Sequence, residues 1–291
     1  MSDRADHKRG VVWFLVLAFG LTWAIEIGLY AAGVPLKSPI AAAGLVLVMF
    51  TPGIAAFIVR RFITCEGFAD AGLRLGPLRY YAAAWFGMPA VAFLSLGLAL
   101  LLGAAHWDPT MGGLAESLGR EAVRGLPLDP RLMVLLIALF SILVAPWINL
   151  LPAFGEEFGW RGYLQVRLAA RLGRLRAYVL TGLIWGLWHA PIILQGYNYP
   201  DHPVLGVFAM IVFTILLAVL FGWLRDASGS VWPAALAHGA LNATYGLPLL
   251  FSRSVDTLLG PALTGLTGWV VMLAAVLWLA RRGAFPRGSR R

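Results

Sequence analysis

Residues 203–224, PVLGVFAMIVFTILLAVLFGWL, contain no Asp, Glu, Lys or Arg. A helix that crosses a bilayer needs about 20 consecutive apolar residues, so this stretch predicts a transmembrane helix. Seven further stretches of similar length surround it in the chain. Together they predict a membrane protein with about eight transmembrane helices, at residues 11–32, 40–59, 80–105, 132–155, 177–199, 203–224, 231–252 and 257–280.

The composition of the whole chain supports the same class. Of its 291 residues, 60% are hydrophobic and 13% are charged, whereas a soluble domain carries about 25% charged residues. Because Cys65 is the single cysteine, an internal disulfide and a cysteine metal cluster are excluded. We expect an all-α, multi-pass membrane protein in which residues 1–291 form a single domain. Its membrane is expected to be the plasma membrane if the source is prokaryotic.

The distribution of basic residues predicts the orientation. With both termini cytoplasmic, 17 of the 23 Lys and Arg residues fall in inside segments, as the positive-inside rule requires. The net charge of +9 then reflects topology and contact with anionic lipid. Nucleic acid is not an expected partner, because the arginines scatter over separate loops. An amphipathic piece at residues 114–124 predicts an interfacial helix on the outer side.

Ionisable residues inside a membrane are costly and are functional candidates by default. In the sequence GEEFGWR at residues 155–161, Glu157 and Arg161 are four apart and share a helix face, so we expect them to pair. Glu156 points about 100° away and is left free by that pairing. A carboxylate in such apolar surroundings is a candidate base. The alternative is a charged end cap where the helix meets the cytoplasm.

Two later stretches carry the other candidates. His189, in WGLWHAP at residues 185–191, lies about 18 Å into its predicted span and needs a partner from another helix. A core histidine bonded to a backbone carbonyl is the alternative. His238 and Asn242 share a helix face and offer two neutral donors that suit an oxyanion or a bound water. Interhelical hydrogen bonding is the alternative for this pair.

These three groups of residues can converge in the cytoplasmic half of the bilayer. Glu26, inside the first span, has no evident partner and is interpreted as a helix-packing or substrate-cleft residue. The chain has no H-E-x-x-H zinc motif, no G-x-S-x-G motif and no Walker A lysine.

The ordered set resembles the CPBP family of intramembrane proteases, also known as the CAAX-protease, bacteriocin-processing or Abi family. That family has E-E-x-x-x-R, then F-x-x-x-H, then H-x-x-x-N on later helices. The resemblance covers roughly residues 150–245 and rests on Glu156, Glu157, Arg161, His189, His238 and Asn242. Trp185 stands where the family usually has phenylalanine, which changes the expected shape of the cleft.

By this resemblance, the chain is an intramembrane endopeptidase. Glu156 would be the general base for water, helped by His189. His238 and Asn242 would hold that water or stabilise the oxyanion, and Arg161 would pair with Glu157 and orient the motif. The implied substrate is a peptide or protein, which can itself be membrane-associated, cut near the cytoplasmic face.

Several alternatives stay open. The favoured mechanism uses no metal and no cofactor, but Glu156, His189 and His238 could instead supply three zinc ligands, with water at the fourth position. A non-catalytic scaffold or immunity-type protein that keeps the fold is a second class of function. A proton-coupled transporter that uses the same residues as a relay is a third.

Overall fold

The structure, a computed structural model, describes residues 2–110, 112–114, 129–254 and 256–285, with side chains from residue 8 onward. Beyond its first residue, the interfacial helix predicted at residues 114–124 lies outside these ranges. The described chain is mainly helical, which is consistent with the all-α prediction. A short antiparallel sheet is the exception, formed by β1 (Ala105–Trp107) and β2 (Ser252–Ser254), with Ala105 opposite Ser254.

Twelve α-helices are described, and two of them continue into a π-helical turn. The helices are α1 (Ser2–Ala31), α2 (Pro39–Ile58), α3 (Arg79–Leu101), α4 (Pro130–Leu143), α5 (Ala145–Gly159), α6 (Gln165–Leu172), α7 (Arg174–Trp188), α8 (Ala190–Leu194), α9 (Pro203–Ser228), α10 (Trp232–Thr244), α11 (Leu247–Phe251) and α12 (Leu266–Arg281). The π-helical turns are Val59–Ile63 after α2 and Trp160–Leu164 after α5.

Four helices in the described chain are long and apolar enough to cross a membrane. They are Lys8–Ala31, Pro39–Ile63, Arg79–Leu101 and Pro203–Ser228. A fifth span results if α4 and the helical segment that begins at α5 are counted together. The two are bent relative to each other by 48° at Val144. Pro146 in the first turn of α5 accounts for the bend, because proline has no N–H to donate to the preceding turn. Eight spans and cytoplasmic termini remain predictions.

The other expected spans hold shorter helices. In 177–199 the helix ends at Trp188 and resumes as the five-residue α8, so His189 lies at a break and not inside a continuous helix. The helix is nevertheless continuous from Arg174 to Trp188, so the rise of about 18 Å from residue 177 to His189 is unchanged, and its depth in a bilayer stays a prediction. In 231–252, α10 has 13 residues and most of its side chains are buried. In 257–280, α12 has 16 residues.

Local sequence signals begin two of the helices that frame the site. Ser38 Oγ accepts a hydrogen bond of 3.2 Å from the backbone N–H of Ala41, and Pro39 begins α2. The side chain of Asp129 accepts from Arg131 N at 2.8 Å, and Pro130 begins α4. A capping side chain followed by proline is a frequent start for a helix, because the first N–H groups have no partner within it.

Glycines let the helices approach closely around α5. A Cβ atom added to Gly53 of α2 would lie 2.5 Å from the carbonyl oxygen of Gly155 on α5. On the other side of α5, a Cβ atom on Gly239 of α10 would lie 2.6 Å from the carbonyl oxygen of Pro146. Small residues at helix contacts are typical of membrane proteins. They place Glu156 and Glu157 between α2 and α10.

The outer surface carries many large apolar side chains. Ile40, Leu47, Phe86, Leu135 and Val204 are among those that are strongly exposed. Exposed apolar surface of this extent is unfavourable in water and favourable against lipid. The chain is therefore an integral membrane protein.

Candidate active site

One internal cavity of about 330 Å³ collects the unusual polar residues of the sequence. Glu156, His189, His238 and Asn242 all line it, together with Glu26 from α1. These side chains come from three separate helices, α1, α5 and α10, and from the break after α7. The remaining lining is mainly aliphatic and aromatic, so the polar groups face a space of low polarity.

Glu156 is held by two tryptophans. Its Oε2 atom accepts a hydrogen bond of 2.8 Å from Trp185 Nε1 and a longer one of 3.4 Å from Trp160 Nε1. Its side chain is almost fully buried. Glu156 is thus free of the ion pair, as expected, but it is anchored through one oxygen. Within the described chain, Oε1 has no hydrogen-bond partner and remains available to a ligand.

Glu157 and Arg161 form the expected pair, with 2.9 Å between Oε1 and Nη1. Both side chains are fully buried. The same Oε1 atom lies 2.9 Å from His238 Nδ1, so α10 is joined to α5 through this carboxylate. The guanidinium of Arg161 stacks over the ring of Trp185, with its central carbon 4.4 Å from the ring centroid. Neither Glu157 nor Arg161 is among the residues that line the cavity.

His189 bonds to the backbone and also faces the cavity. Its Nδ1 lies 2.8 Å from the carbonyl oxygen of Trp185, one turn earlier in the chain. Because a carbonyl only accepts, Nδ1 carries the proton, and Nε2 of the neutral ring is then an acceptor. The backbone bond expected of a core histidine is therefore present. The same bond fixes the tautomer in which Nε2 can accept a proton.

The His238 ring has a different constraint. A carboxylate only accepts, so Nδ1 of His238 donates its proton to Glu157. Nε2 is then an acceptor in the neutral ring and a donor only in the imidazolium form. Asn242, one turn later, makes only a weak 4.0 Å contact from Nδ2 to Met49 Sδ, so its amide is available to a ligand. The expected pair of two neutral donors thus reduces to Asn242 alone.

One residue of the site had no role in the sequence analysis, and a second was interpreted there only as a helix-packing or substrate-cleft residue. Trp160 lies four residues after Glu156, and that spacing on a helix would have found it. Glu26 had been noticed, but its neighbours belong to helices far away in sequence. Only the tertiary arrangement brings it to the cavity that His189 also lines.

The arrangement was also tested against a zinc ion. Within the described residues, no three His, Cys, Asp or Glu side chains are placed so that they could hold a metal ion. Oε2 of Glu156 and the Nδ1 atoms of both histidines already have protein partners. The side chains as they stand do not form a ready three-ligand site.

The fold and the site together define a helical membrane protein with a carboxylate and two imidazoles at a partly open cavity. Residues 133–244 match the family model described as type II CAAX prenyl endopeptidase Rce1-like. That segment contains all three motifs. Over this segment the chain is similar to the CAAX proteases, which supports the resemblance to the CPBP family.

Similar proteins occur in archaea and bacteria. The chain is 26% identical over 194 residues to CAAX prenyl protease 2 of Methanococcus maripaludis, a match that covers 63% of this chain and 64% of the relative. It is 27% identical over 143 residues to lysostaphin resistance protein A of Staphylococcus epidermidis, covering 48% of this chain and 34% of the relative. The matches thus span about two thirds of the archaeal relative and one third of the staphylococcal one.

Proposed function

We propose that the protein is an intramembrane endopeptidase that hydrolyses a peptide bond with water activated by Glu156 and His189. The single observation behind this proposal is the pair of free acceptors at one cavity. Glu156 has one oxygen held by tryptophans and the other available, and His189 has Nδ1 fixed and Nε2 available. Both side chains line the same cavity.

In the proposed reaction, a water molecule sits between Glu156 Oε1 and His189 Nε2. Glu156 takes a proton from this water as the oxygen attacks the carbonyl carbon of the substrate. The same proton then passes to the leaving amine when the C–N bond breaks. General base catalysis of this kind contributes about 10²–10⁴-fold in rate.

The developing oxyanion needs donors on the opposite side of the water. Asn242 Nδ2 supplies one neutral N–H. His238 adds a second donor through Nε2 only in the imidazolium form, because Nδ1 already donates to Glu157. Loss of one oxyanion donor typically costs about 10²–10³-fold in rate.

Glu157 and Arg161 act as positioning residues in this scheme. Their ion pair holds His238 from one side and the indole of Trp185 from the other. Trp185 in turn donates to Glu156. The base and the histidine on α10 are therefore oriented by one connected set of contacts.

The proposed substrate is a peptide or protein segment that reaches the membrane, cut near the cytoplasmic face. The name of the archaeal relative suggests CAAX-type peptides as the first probes, in prenylated and unmodified forms. A scaffold or a transporter with this fold would cleave neither form. The zinc-dependent version of the same reaction stays open as a second mechanism.

The test is proteolysis by the purified protein in detergent with internally quenched peptides. We expect cleavage by the wild type and a loss of at least about 100-fold in kcat/KM for Glu156→Gln. The variant should keep the thermal unfolding temperature of the wild type within a few degrees. Asp201→Asn, which changes an exposed carboxylate elsewhere, is the control and should retain activity. Full activity in Glu156→Gln would refute the assignment of the base.

A further inference from the structure

Glu26 is a second buried carboxyl at the cavity, and the proposed reaction does not use it. Its side chain is 1% exposed, although it belongs to α1, a helix with many lipid-facing residues. Its Oε2 atom is buried and has no hydrogen-bond partner among the described residues. A buried carboxyl oxygen without a partner is unfavourable unless a ligand or water satisfies it.

Three hydrogen bonds fix α1 against the chain around His189. Trp23 Nε1 donates to the carbonyl oxygen of Trp188 at 3.1 Å. Trp188 Nε1 donates to the carbonyl oxygen of Ala18 at 3.3 Å, and Gln195 Nε2 donates to the backbone oxygen of Glu26 at 3.3 Å. These contacts place Glu26 in a constant relation to His189. Because α1 lies outside the matched segment 133–244, the family match assigns no role to Glu26.

Apart from the imidazoles of His189 and His238, the described cavity lining has acidic groups and no basic ones. Among its described lining residues, Glu26 and Glu156 are carboxyls and none is Lys or Arg. The nearest buried guanidinium, that of Arg161, is directed to Glu157 and to aromatic rings. A bound group that carries positive charge is complementary to such a space, and a carboxylate is repelled by it.

We infer that Glu26 is a specificity-determining residue that binds a Lys or Arg side chain of the substrate close to the scissile bond. The inference rests on the proposed function, because it assumes a peptide in the cavity. A sphere of the cavity's volume is about 9 Å across, and an extended peptide advances about 3.3–3.6 Å per residue. The basic residue is therefore within about three positions of the bond that is cut.

The experiment uses a quenched peptide that the wild type cleaves, with the cut position determined by mass spectrometry. Lysine, acetyl-lysine and norleucine are placed in turn at each of the three positions on either side of the cut. We expect at least about tenfold higher kcat/KM for lysine than for its neutral counterparts at one position, as for a buried charge-assisted bond. This wild-type comparison stands even if a Glu26 variant fails to fold.

Substitutions then assign the preference to Glu26. In Glu26→Gln the ratio between lysine and norleucine peptides should fall to near one, and Glu26→Lys should favour glutamate at that position. Asp201→Asn should keep the wild-type ratio. The inference is overturned if no position distinguishes lysine from acetyl-lysine, or if the ratio persists in Glu26→Gln.

Binding separates this inference from the proposed function. Fluorescein-labelled versions of the lysine and norleucine peptides are titrated with the wild type and with Glu26→Gln, and polarisation is measured. A lysine preference that depends on Glu26 without any cleavage would support the binding site and refute the protease proposal. Equal binding of both peptides would overturn the inference about Glu26.

Discussion

Glu156 and Glu157 are neighbours in the sequence, yet they meet different partners. Glu156 accepts from two neutral indoles and keeps an oxygen for the cavity. Glu157 is neutralised by Arg161 and also accepts from His238. Successive helical side chains point about 100° apart, so one motif can supply both a free base and a buried anchor.

This division predicts opposite phenotypes for the two glutamines. Glu157→Gln removes the charge that balances a fully buried guanidinium, and we expect it to lower the free energy of unfolding by about 3 kcal/mol. Glu156→Gln should lower stability much less and abolish cleavage. Thermal unfolding in detergent and the peptide assay measure the two effects. Equal stability of both variants would contradict this assignment of the ion pair.

Whether the proposed reaction uses a zinc ion also depends on single residues. If Glu156 and His189 activate water directly, chelators should change the activity by less than about twofold. Elemental analysis of the active wild type should then find far less than one zinc per chain. In a zinc enzyme, ligands and metal are lost together, so His238→Ala would lose bound zinc in parallel with activity. One zinc per active chain in the wild type, lost in that variant, would reject the metal-free mechanism.

Part of the site follows from spacing along the chain, and part does not. The pairing of Glu157 with Arg161 needs only the four-residue period of a helix, and the structure confirms it. The contact between His238 and Glu157 depends on how α5 and α10 align, which no local pattern encodes. For the same reason, the position of Glu26 at the cavity became visible only in the folded chain.

At the level of helices, the sequence predicted the long apolar elements well and the interrupted ones poorly. Four of the eight stretches are single helices of spanning length. The other four contain prolines, but a proline alone does not predict an interruption, because α2 and α3 continue through Pro52 and Pro89. Pro191 follows the break at His189, while Pro146 bends the junction of α4 and α5. The break matters, because it frees His189 from a regular helical position.

The contact between α2 and α5 yields a prediction at this scale. In Gly53→Ala the added methyl group meets the Gly155 carbonyl at 2.5 Å, so the two helices must separate beside Glu156. We expect a loss of about 1–3 kcal/mol in the free energy of unfolding and reduced cleavage. Gly87→Ala in α3 is the matched control, because its Cβ would meet nothing within 4 Å. Unchanged stability in Gly53→Ala would contradict this close packing.

The short sheet is expected to respond to acid. Asp108, next to β1, accepts hydrogen bonds from Thr110 Oγ1, from Arg253 Nε on β2 and from the backbone N–H groups of Thr110 and Gly112. The Thr110 hydroxyl is the largest of the influences that lower the pKa of Asp108 to about 2. A carboxyl whose pKa is lowered by folding adds stability above its ordinary pKa of about 4, and that stability is lost as the pH falls towards 2.

The expected result is a steeper fall in unfolding temperature between pH 5 and about pH 2.5 for the wild type than for Asp108→Asn. Thermal unfolding in detergent at both pH values measures it. Asp201→Asn serves as the control and should follow the wild type. Parallel curves for wild type and Asp108→Asn would show that Asp108 does not contribute.

For the whole molecule, the basic residues have two roles that the sequence alone could not separate. Arg60 was counted as an inside loop charge, but it is fully buried and donates to Asp70 at 2.8 Å and to the Gly162 carbonyl at 2.8 Å. Arg167 contacts the same carboxyl of Asp70. These arginines fasten the segment between α2 and α3 to the turn that follows α5. The excess of basic residues in the predicted cytoplasmic segments therefore includes arginines that also stabilise the fold.

The predicted orientation can be tested with the single cysteine of the chain. Cys65 is exposed in the segment between the π-helical turn after α2 and the start of α3, which the positive-inside rule places in the cytoplasm. β1 follows the other end of α3, about 35 Å away along a 23-residue helix. In intact cells, a membrane-impermeant maleimide should leave Cys65 unlabelled, and permeabilisation should expose it.

The matched control moves the cysteine to the opposite side. In the double variant Cys65→Ser with His106→Cys, the thiol lies at an exposed position of β1 and should react in intact cells. The two proteins differ in the side that carries the thiol and share the same α3, so unequal labelling reports orientation directly. If Cys65 reacts in intact cells while the His106→Cys variant does not, the protein has the inverted topology. The site would then have to be approached from the outer face.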